Sequence, residues 1–315
     1  MKAAIIDLIG GAPKIEEASY PNSENGGILM DVVAVALNPV DIAIANGKFY
    51  AGHPALPFIP ALEAVGRISS NRLVYAQGDG YGISRNGFLA QHVEVNESIL
   101  IDIPIGSDPG IAVALGTAGL AGWLSVTWRA SVGENDVVVV IGATGAVGKI
   151  ALQAANFAGA RKVIAVGRNQ KRLDSDDVIA SSKVLIDEDL AANVLKAAGE
   201  PPTVVIDMTW GSPLASLLPV LAGGARIVQV GASASPEATL MSSVFRGKQL
   251  SLMGYSNFGV PRNILVSSYK QIVDLANEGK LQVAIKRFGY MDVKTAWQTA
   301  VSGEAKVVIE MERAQ

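Results

Sequence analysis

The residues whose spacing most clearly implies chemistry are the glycines of Ile141-Gly142-Ala143-Thr144-Gly145-Ala146-Val147-Gly148. Where such a turn follows an apolar strand and opens a helix, backbone N–H groups at the helix start can hold an anionic diphosphate. Gly142 would permit the tight turn, Gly145 the approach of backbone to a pyrophosphate, and Gly148 close helix-to-strand packing. The spacing is G-x-x-G-x-x-G, so Ala143 stands where the usual G-x-G-x-x-G has one of its glycines. About twenty residues past the last motif glycine, a carboxylate would bond the ribose 2′-hydroxyl of NAD. Arg168 stands there instead, and Val166-Gly167-Arg168-Asn169-Gln170-Lys171-Arg172 contains no acid. An arginine can bind a 2′-phosphate bidentately, and Lys171 or Arg172 can add charge. Cations at a helix start oppose the helix dipole, a penalty that a bound phosphate offsets. NADP(H) is therefore expected over NAD, with Gly167, Arg168, Asn169 and Lys171 around its phosphate.

The elements that must position this turn are legible on either side of it. Asp136-Val-Val-Val-Val-Ile141 is a continuous apolar run, as for a strand buried on both faces of a parallel sheet. Lys149–Ala158 follows with apolar positions at helical spacing. Strands are expected at Lys162–Val166, Lys183–Ile186, Thr203–Ile206 and Ala225–Val230, with helical segments between several of them. That alternation predicts a doubly wound, right-handed βαβ domain. Residues 1–115 read differently. Short apolar runs such as Ile28–Leu37, Gly66–Ile68 and Phe88–Val95 alternate with the turn-rich pieces YPNSENGG, SSNR, GDGYG and SRNG, which suggests a small barrel or sandwich. After Gly254, helices are expected at Pro261–Gly279 and Val293–Val301, then a strand at Ala305–Glu310. Gln249–Gly254 reads as an edge strand able to pair with a second chain.

Composition excludes several chemistries. The 315 residues contain no cysteine and only two histidines, His53 and His92, so disulfides, thiolate nucleophiles, and cysteine-ligated or three-histidine zinc are excluded. The net charge is 26 − 29 = −3, which argues against nucleic acid as a partner. Hydrophobic residues make up 50% and charged ones 17%, so an ordered core is expected. Asp7 interrupts the first apolar run and no cleavage site follows. Pro109–Trp128 carries no charge and is long enough to span a bilayer, but its Gly and Ala content reads as buried core. A cytoplasmic protein without membrane contact is expected.

These blocks in succession are similar to the zinc-independent medium-chain dehydrogenase/reductase superfamily, in its quinone oxidoreductase branch. Asn38-Pro39-Val40-Asp41 resembles the N-P-x-D of that family. Gly47-Lys48-Phe49-Tyr50 and Pro57-Phe58-Ile59-Pro60-Ala61-Leu62-Glu63-Ala64-Val65-Gly66 resemble its G-x-Y and P-F-x-P-G-x-E-x-x-G, with Ala61 in place of a glycine. Gly78-Asp79, Gly116-Thr117-Ala118-Gly119-Leu120-Ala121, the 142–148 turn, Gly223-Gly224-Ala225 to Gly231, and Lys306-Val307-Val308 follow in the family's order. The resemblance implies a GroES-like catalytic β-barrel from residues 1–116 and 257–315, a Rossmann NADP(H)-binding domain at 117–256, and a homodimer. The positions where zinc-dependent relatives hold their catalytic ligands fall on Asn38, Leu62 and Thr117, which do not make a plausible zinc site.

Without a metal, hydride must pass to an acceptor that is already electrophilic, a quinone or an α,β-unsaturated carbonyl. An enoyl-thioester or aldehyde reductase of the same fold, or a non-catalytic NADPH-binding sensor or structural protein, is the alternative. By this resemblance Asn38 meets substrate or nicotinamide ribose, against a reading in which it only stabilises the turn before Pro39. Tyr50 faces the cleft and assists protonation, or serves as a gate without an acid role. Asp41 is expected to support its loop. Cofactor contacts carried over are Thr117, Thr144, Gly145, Ala146, Val147, Gly231, Ala232 and Ser233, while Tyr255 is expected near the nicotinamide or at a dimer edge. His92 is expected to be structural and His53 to lie near substrate or stand alone. Tyr290-Met-Asp-Val-Lys294 matches the Y-x-x-x-K of short-chain dehydrogenases, but the nucleotide turn lies far too late in the chain for that fold, so the match is taken as chance.

Overall fold

The computed structural model describes residues 1–21, 26–69 and 72–311. Parts of two expected turn segments, at 22–25 and 70–71, lie outside the described residues. The chain divides into two compact units. The first comprises Met1–Thr117, Tyr269–Lys280 and Ala284–Gln315, and the second Ala118–Ser268 with Leu281–Val283.

In the first unit the strands are β1 (Lys2–Ile5), β2 (Lys14–Glu17), β3 (Ile28–Leu37), β4 (Glu63–Ile68), β5 (Arg72–Gln77), β6 (His92–Val95) and β7 (Leu100–Asp102). The strands β8 (Val137–Ile141), β9 (Lys162–Gly167), β10 (Ser182–Leu185), β11 (Val204–Asp207), β12 (Arg226–Gln229) and β13 (Ser251–Gly254) form the second unit's sheet. The first unit then resumes with β14 (Ile285–Gly289) and β15 (Lys306–Glu310). Its sheet has the order β14-β15-β3-β4-β5-β7, with β6 also on β3. The pairs are antiparallel except β14 with β15. The β1–β2 hairpin joins through isolated bridges at Ala3–Ala90 and Ile6–Phe58. One shared core, including Met30, Val35, Phe58, Leu62, Phe88, Trp297 and Ile309, lies within this unit.

The second unit's sheet is parallel throughout, in the order β10-β9-β8-β11-β12-β13. Numbered along the chain this is 3-2-1-4-5-6, the Rossmann order, whose reversal between β8 and β11 places a ligand crevice beyond their C-terminal ends. All five residues of β8 are fully buried, which explains its unbroken run of β-branched residues. Its helices include α3 (Leu120–Leu124), α4 (Ala146–Phe157), α5 (Gln170–Leu173), α6 (Leu190–Ala198), α7 (Ser212–Leu217) and α8 (Ser242–Lys248). The first unit holds α1 (Pro39–Ala45), α2 (Pro109–Ala114) and α10 (Val293–Ser302). The last strand, β13, lies at the sheet's edge with Leu252 exposed, where the edge strand was expected.

The return to the first unit comes later than the expected residue 257, within α9 (Arg262–Asn277). Local bonds account for the difference. Tyr269 stacks on Tyr75 with ring centroids 4.3 Å apart and donates to the Ala112 carbonyl at 2.9 Å, both in the first unit. Tyr255 instead donates to Asn257 at 2.8 Å within the second unit. Gln153 of α4 then holds Gln282 by two bonds, at 2.8 and 2.9 Å, so residues 281–283 join the second unit as well. The apolar run Pro109–Arg129 is mostly buried in the protein and is interrupted by the non-helical backbone of Gly116.

Packing makes the three turn glycines unequal. A Cβ on Gly148 would lie 2.3 Å from the Gly142 carbonyl oxygen, whereas one on Gly145 would meet nothing nearer than that same oxygen at 3.6 Å. Gly148→Ala should therefore destabilise the protein by about 1–3 kcal/mol in urea denaturation. Gly145→Ala, at φ −83°, should leave the midpoint nearly unchanged. Equal losses at the two positions would show that the turn is not set by this close approach.

Candidate functional site

The second unit brings the sequence-predicted turn to the C-terminal end of β8. The amides of Gly142 and Ala143 both donate to the Val166 carbonyl at 3.0 Å, pinning the turn to β9. Gly142 has φ +83°, in the region open to glycine. Gly145 then starts α4, and no side chain caps that helix. The first-turn amides at Ala146, Val147 and Gly148 thus have neither an intrahelical acceptor nor a capping oxygen. With the positive end of the helix dipole they form a site suited to a diphosphate. Thr144 packs toward Gly167, where a Cβ would come 3.1 Å from the Thr144 methyl, so glycine at 167 lets the turn sit close on β9.

Beyond β9, Arg168, Asn169 and Lys171 are exposed. Asn169 caps the short α5, its side-chain oxygen accepting from the Arg172 amide at 3.0 Å. Arg168 and Lys171 have no ion pair among the described residues, so two exposed cations flank the end of β9. Their chemistry fits a 2′-phosphate. On the other half of the sheet, Gly231, Ala232 and Ser233 follow β12, and Ser233 donates to the Met208 carbonyl through both its amide (3.2 Å) and its hydroxyl (3.1 Å). Tyr255 is buried, with its hydroxyl also 3.4 Å from the Leu120 carbonyl and its ring edge-on to Trp128. Burial raises its pKa. The Tyr255 hydroxyl is thus bonded within the second unit.

Sequence reasoning missed Asp207. It is fully buried at the end of β11, in register with Ile141. One carboxylate oxygen accepts from the Thr209 amide and hydroxyl, both at 2.7 Å, and the other from the Trp210 amide at 3.0 Å. Burial raises its pKa, opposed by these bonds from Thr209 and Trp210. The one available signal was an acidic residue closing an otherwise apolar parallel strand.

In the first unit, the predicted Asn38 belongs to a buried charged network. Its amide nitrogen donates to Glu63 Oε1 at 2.7 Å, and its oxygen accepts from Lys306 Nζ at 2.6 Å. Lys306 Nζ also lies 3.7 Å from Glu63. The other Glu63 oxygen accepts from the Tyr75 hydroxyl at 2.8 Å and from the Thr117 amide at 2.6 Å. Thr117 in turn accepts from Gln77 Nε2 at 2.7 Å. Gly116 is required beside it, because a Cβ there would fall 2.1 Å from Glu63 Oε2. Both ends of the Asn38 amide are therefore engaged within this unit, which favours the structural reading of Asn38 over a substrate-facing one. Leu62 offers no donor atom to a metal, and the polar groups of Asn38 and Thr117 are bonded to protein partners.

Asp41 supports the loop as expected. It forms a capping box with Asn38, accepting the Asn38 amide at 2.7 Å, and accepts the Leu62 amide at 3.0 Å. Burial pushes its pKa up to about 7 against the pull of these N–H groups, and burial lowers that of Lys306. Tyr50 lies outside the network, 82% exposed with its ring against Phe49. His53 bonds the Pro54 carbonyl, and His92 pairs with Asp31 at 2.7 Å. Tyr290 is buried with no hydrogen-bond partner for its hydroxyl while Lys294 is exposed, so the Y-x-x-x-K spacing assembles no pair.

Known proteins share this architecture. The zinc-binding dehydrogenase family matches residues 146–278, from the start of α4 to just past α9, a range that excludes positions 38, 62 and 117. A putative quinone oxidoreductase of Bacillus subtilis is 29% identical over 82% of this chain and 81% of its own. The chloroplastic quinone-oxidoreductase QR1 of Triphysaria versicolor is 24% identical over 98% of both. The quinone oxidoreductase of Thermus thermophilus, also solved in complex with NADPH, superposes with a TM-score of 0.83 at 24% identity, covering 98% of this chain and 100% of that one.

The Asp41 shift has a defined sign. Its folded value of about 7 exceeds the unfolded value of about 3.9, so the folded state binds the extra proton. The stability it contributes is present below about pH 4 and is lost as pH rises through 7. Urea midpoints of the wild type should therefore fall between pH 5 and 8 more steeply than those of Asp41→Asn, which is less stable but lacks this titration. Parallel pH profiles would show that Asp41 stays ionised in the folded protein.

Proposed function

We propose, for a chain that belongs to the medium-chain dehydrogenase/reductase superfamily in its quinone oxidoreductase branch, that it transfers hydride from NADPH to a quinone or an activated alkene without a metal. The observation that carries the cofactor choice is the pair Arg168 and Lys171, exposed beyond β9 and without an ion pair among the described residues. The uncapped start of α4 supports the same reading, as a seat for the diphosphate. NADPH supplies the hydride, and the acceptor gains that hydride and a proton. What this chain contributes is binding and orientation: the 142–148 turn holds the diphosphate, Arg168 and Lys171 the 2′-phosphate, and the 231–233 loop bounds the other half of the crevice.

The metal-free part of the proposal rests on donor chemistry. At positions 38, 62 and 117 there is an amide bonded to Lys306 and Glu63, an aliphatic side chain, and a hydroxyl bonded to Gln77. None of these is a thiolate, imidazole or carboxylate of the kind zinc prefers. An acceptor must then be electrophilic on its own, which selects quinones and enones over simple ketones. Tyr50, 82% exposed in the first unit, is the group we assign to meeting substrate.

Stopped-flow oxidation of NADPH against a panel of quinones, enones, acyl thioesters and aldehydes tests this reading, with protein dialysed against a chelator. The expected result is rapid reduction of at least one quinone or enone, unchanged by chelation. Bound NADPH that reduces nothing would leave a binding protein. Activity restored only by added zinc would overturn the metal-free chemistry.

A further inference from the structure

The second unit contains a buried carboxylate that the proposed chemistry does not use. Asp207 closes β11, directly beside the last residue of β8, where the strand order reverses. Its two oxygens organise the next three residues, accepting from Thr209 N, Thr209 Oγ1 and Trp210 N. They hold Trp210 at φ +59°, a conformation that L side chains rarely adopt. An ionised carboxylate with three donors can offset such local strain.

The segment fixed in this way touches both loops that frame the crevice. A Cβ on Gly142 would come 3.2 Å from the Thr209 methyl and 3.2 Å from Met208 Cβ, so the first motif glycine fits against residues 208–209. A Cβ on Gly231 would come 3.0 Å from the Met208 carbonyl oxygen. That carbonyl accepts from Ser233, and the Thr209 carbonyl accepts from the Ala234 amide at 2.8 Å. Residues 208–209 thus pack on the turn after β8 and hydrogen-bond the loop after β12.

We infer that Asp207 is a positioning residue for the nicotinamide half of the dinucleotide site, acting through Thr209 and the backbone of Met208. The inference rests on the dinucleotide reading and adds to it a division of labour. In a doubly wound sheet the first three strands bind one mononucleotide and the last three the other. Arg168 lies on the first half and Asp207 on the second, so the two should affect different parts of the same ligand.

Titration calorimetry with NADPH and with adenosine 2′,5′-bisphosphate, which lacks the nicotinamide half, separates these roles. Asp207→Asn places an amide nitrogen against donors it cannot accept from. NADPH affinity should fall roughly tenfold, the loss expected for one charge-assisted hydrogen bond. The bisphosphate should bind as it does to wild type. Thr209→Val keeps the methyl facing Gly142 and removes the hydroxyl donor, so it should show the same split at about threefold. It carries the test if Asp207→Asn does not fold. Equal weakening of both ligands would mean that Asp207 only stabilises the unit, and no change in either would mean that it positions nothing. Both results overturn the inference. Wild-type protein that fails to bind NADPH would instead sink the dinucleotide reading, and binding of NADPH without the bisphosphate would sink the assignment of halves.

Discussion

In the second unit the carbonyl of Gly142 lies so close to residue 148 that only a hydrogen can face it. This contact lets α4 begin immediately past the end of β8, with no side chain to cap its first amides. A wider turn would move the helix start off the sheet and separate the diphosphate seat from the end of β9. The turn is also tied to β9 itself, since the Val166 carbonyl takes both the Gly142 and Ala143 amides. The start of α4 and the end of β9, the proposed sites for the diphosphate and the 2′-phosphate, are thus tied together through backbone.

The two units treat polar groups in opposite ways. In the first, Lys306, Glu63, Asn38, Asp41 and Tyr75 are buried and bonded to one another. Such a network is strongly directional, because removing one member leaves another buried without its partner. Its effect is to lock β15 to β4 and to the 116–117 turn. In the second unit the donors at the crevice are left unsatisfied, and the one buried carboxylate organises loops. The first unit's polar core therefore reads as architecture, and the second unit's open donors as a binding site.

Local features of the sequence were informative and distant ones were not. The five buried residues of β8, the turn after it and the basic end of β9 are neighbours in the chain, so periodicity and spacing revealed them. The partners of Asn38 were hidden for the converse reason: Lys306 is 268 residues away and meets it only through the pairing of β15 with β3. The contacts of Tyr255 with the Leu120 carbonyl and Trp128 were hidden in the same way, because both partners lie far off in the chain. The resemblance implies a domain return at 257, whereas Tyr269 stacking on Tyr75, a contact between distant parts of the chain, sets it inside α9. Asp207 was overlooked because a single acid at a strand end has the same local pattern as any loop acid.

The central claim is that a 2′-phosphate, and not a ribose hydroxyl, is recognised beyond β9. Equilibrium titration of the protein with NADPH and with NADH tests it most directly. The account predicts NADPH tighter by at least about tenfold, a preference abolished in Arg168→Asp, since one charge-assisted phosphate contact is worth roughly that much. Equal affinity for the two cofactors, unchanged by Arg168→Asp, would contradict it.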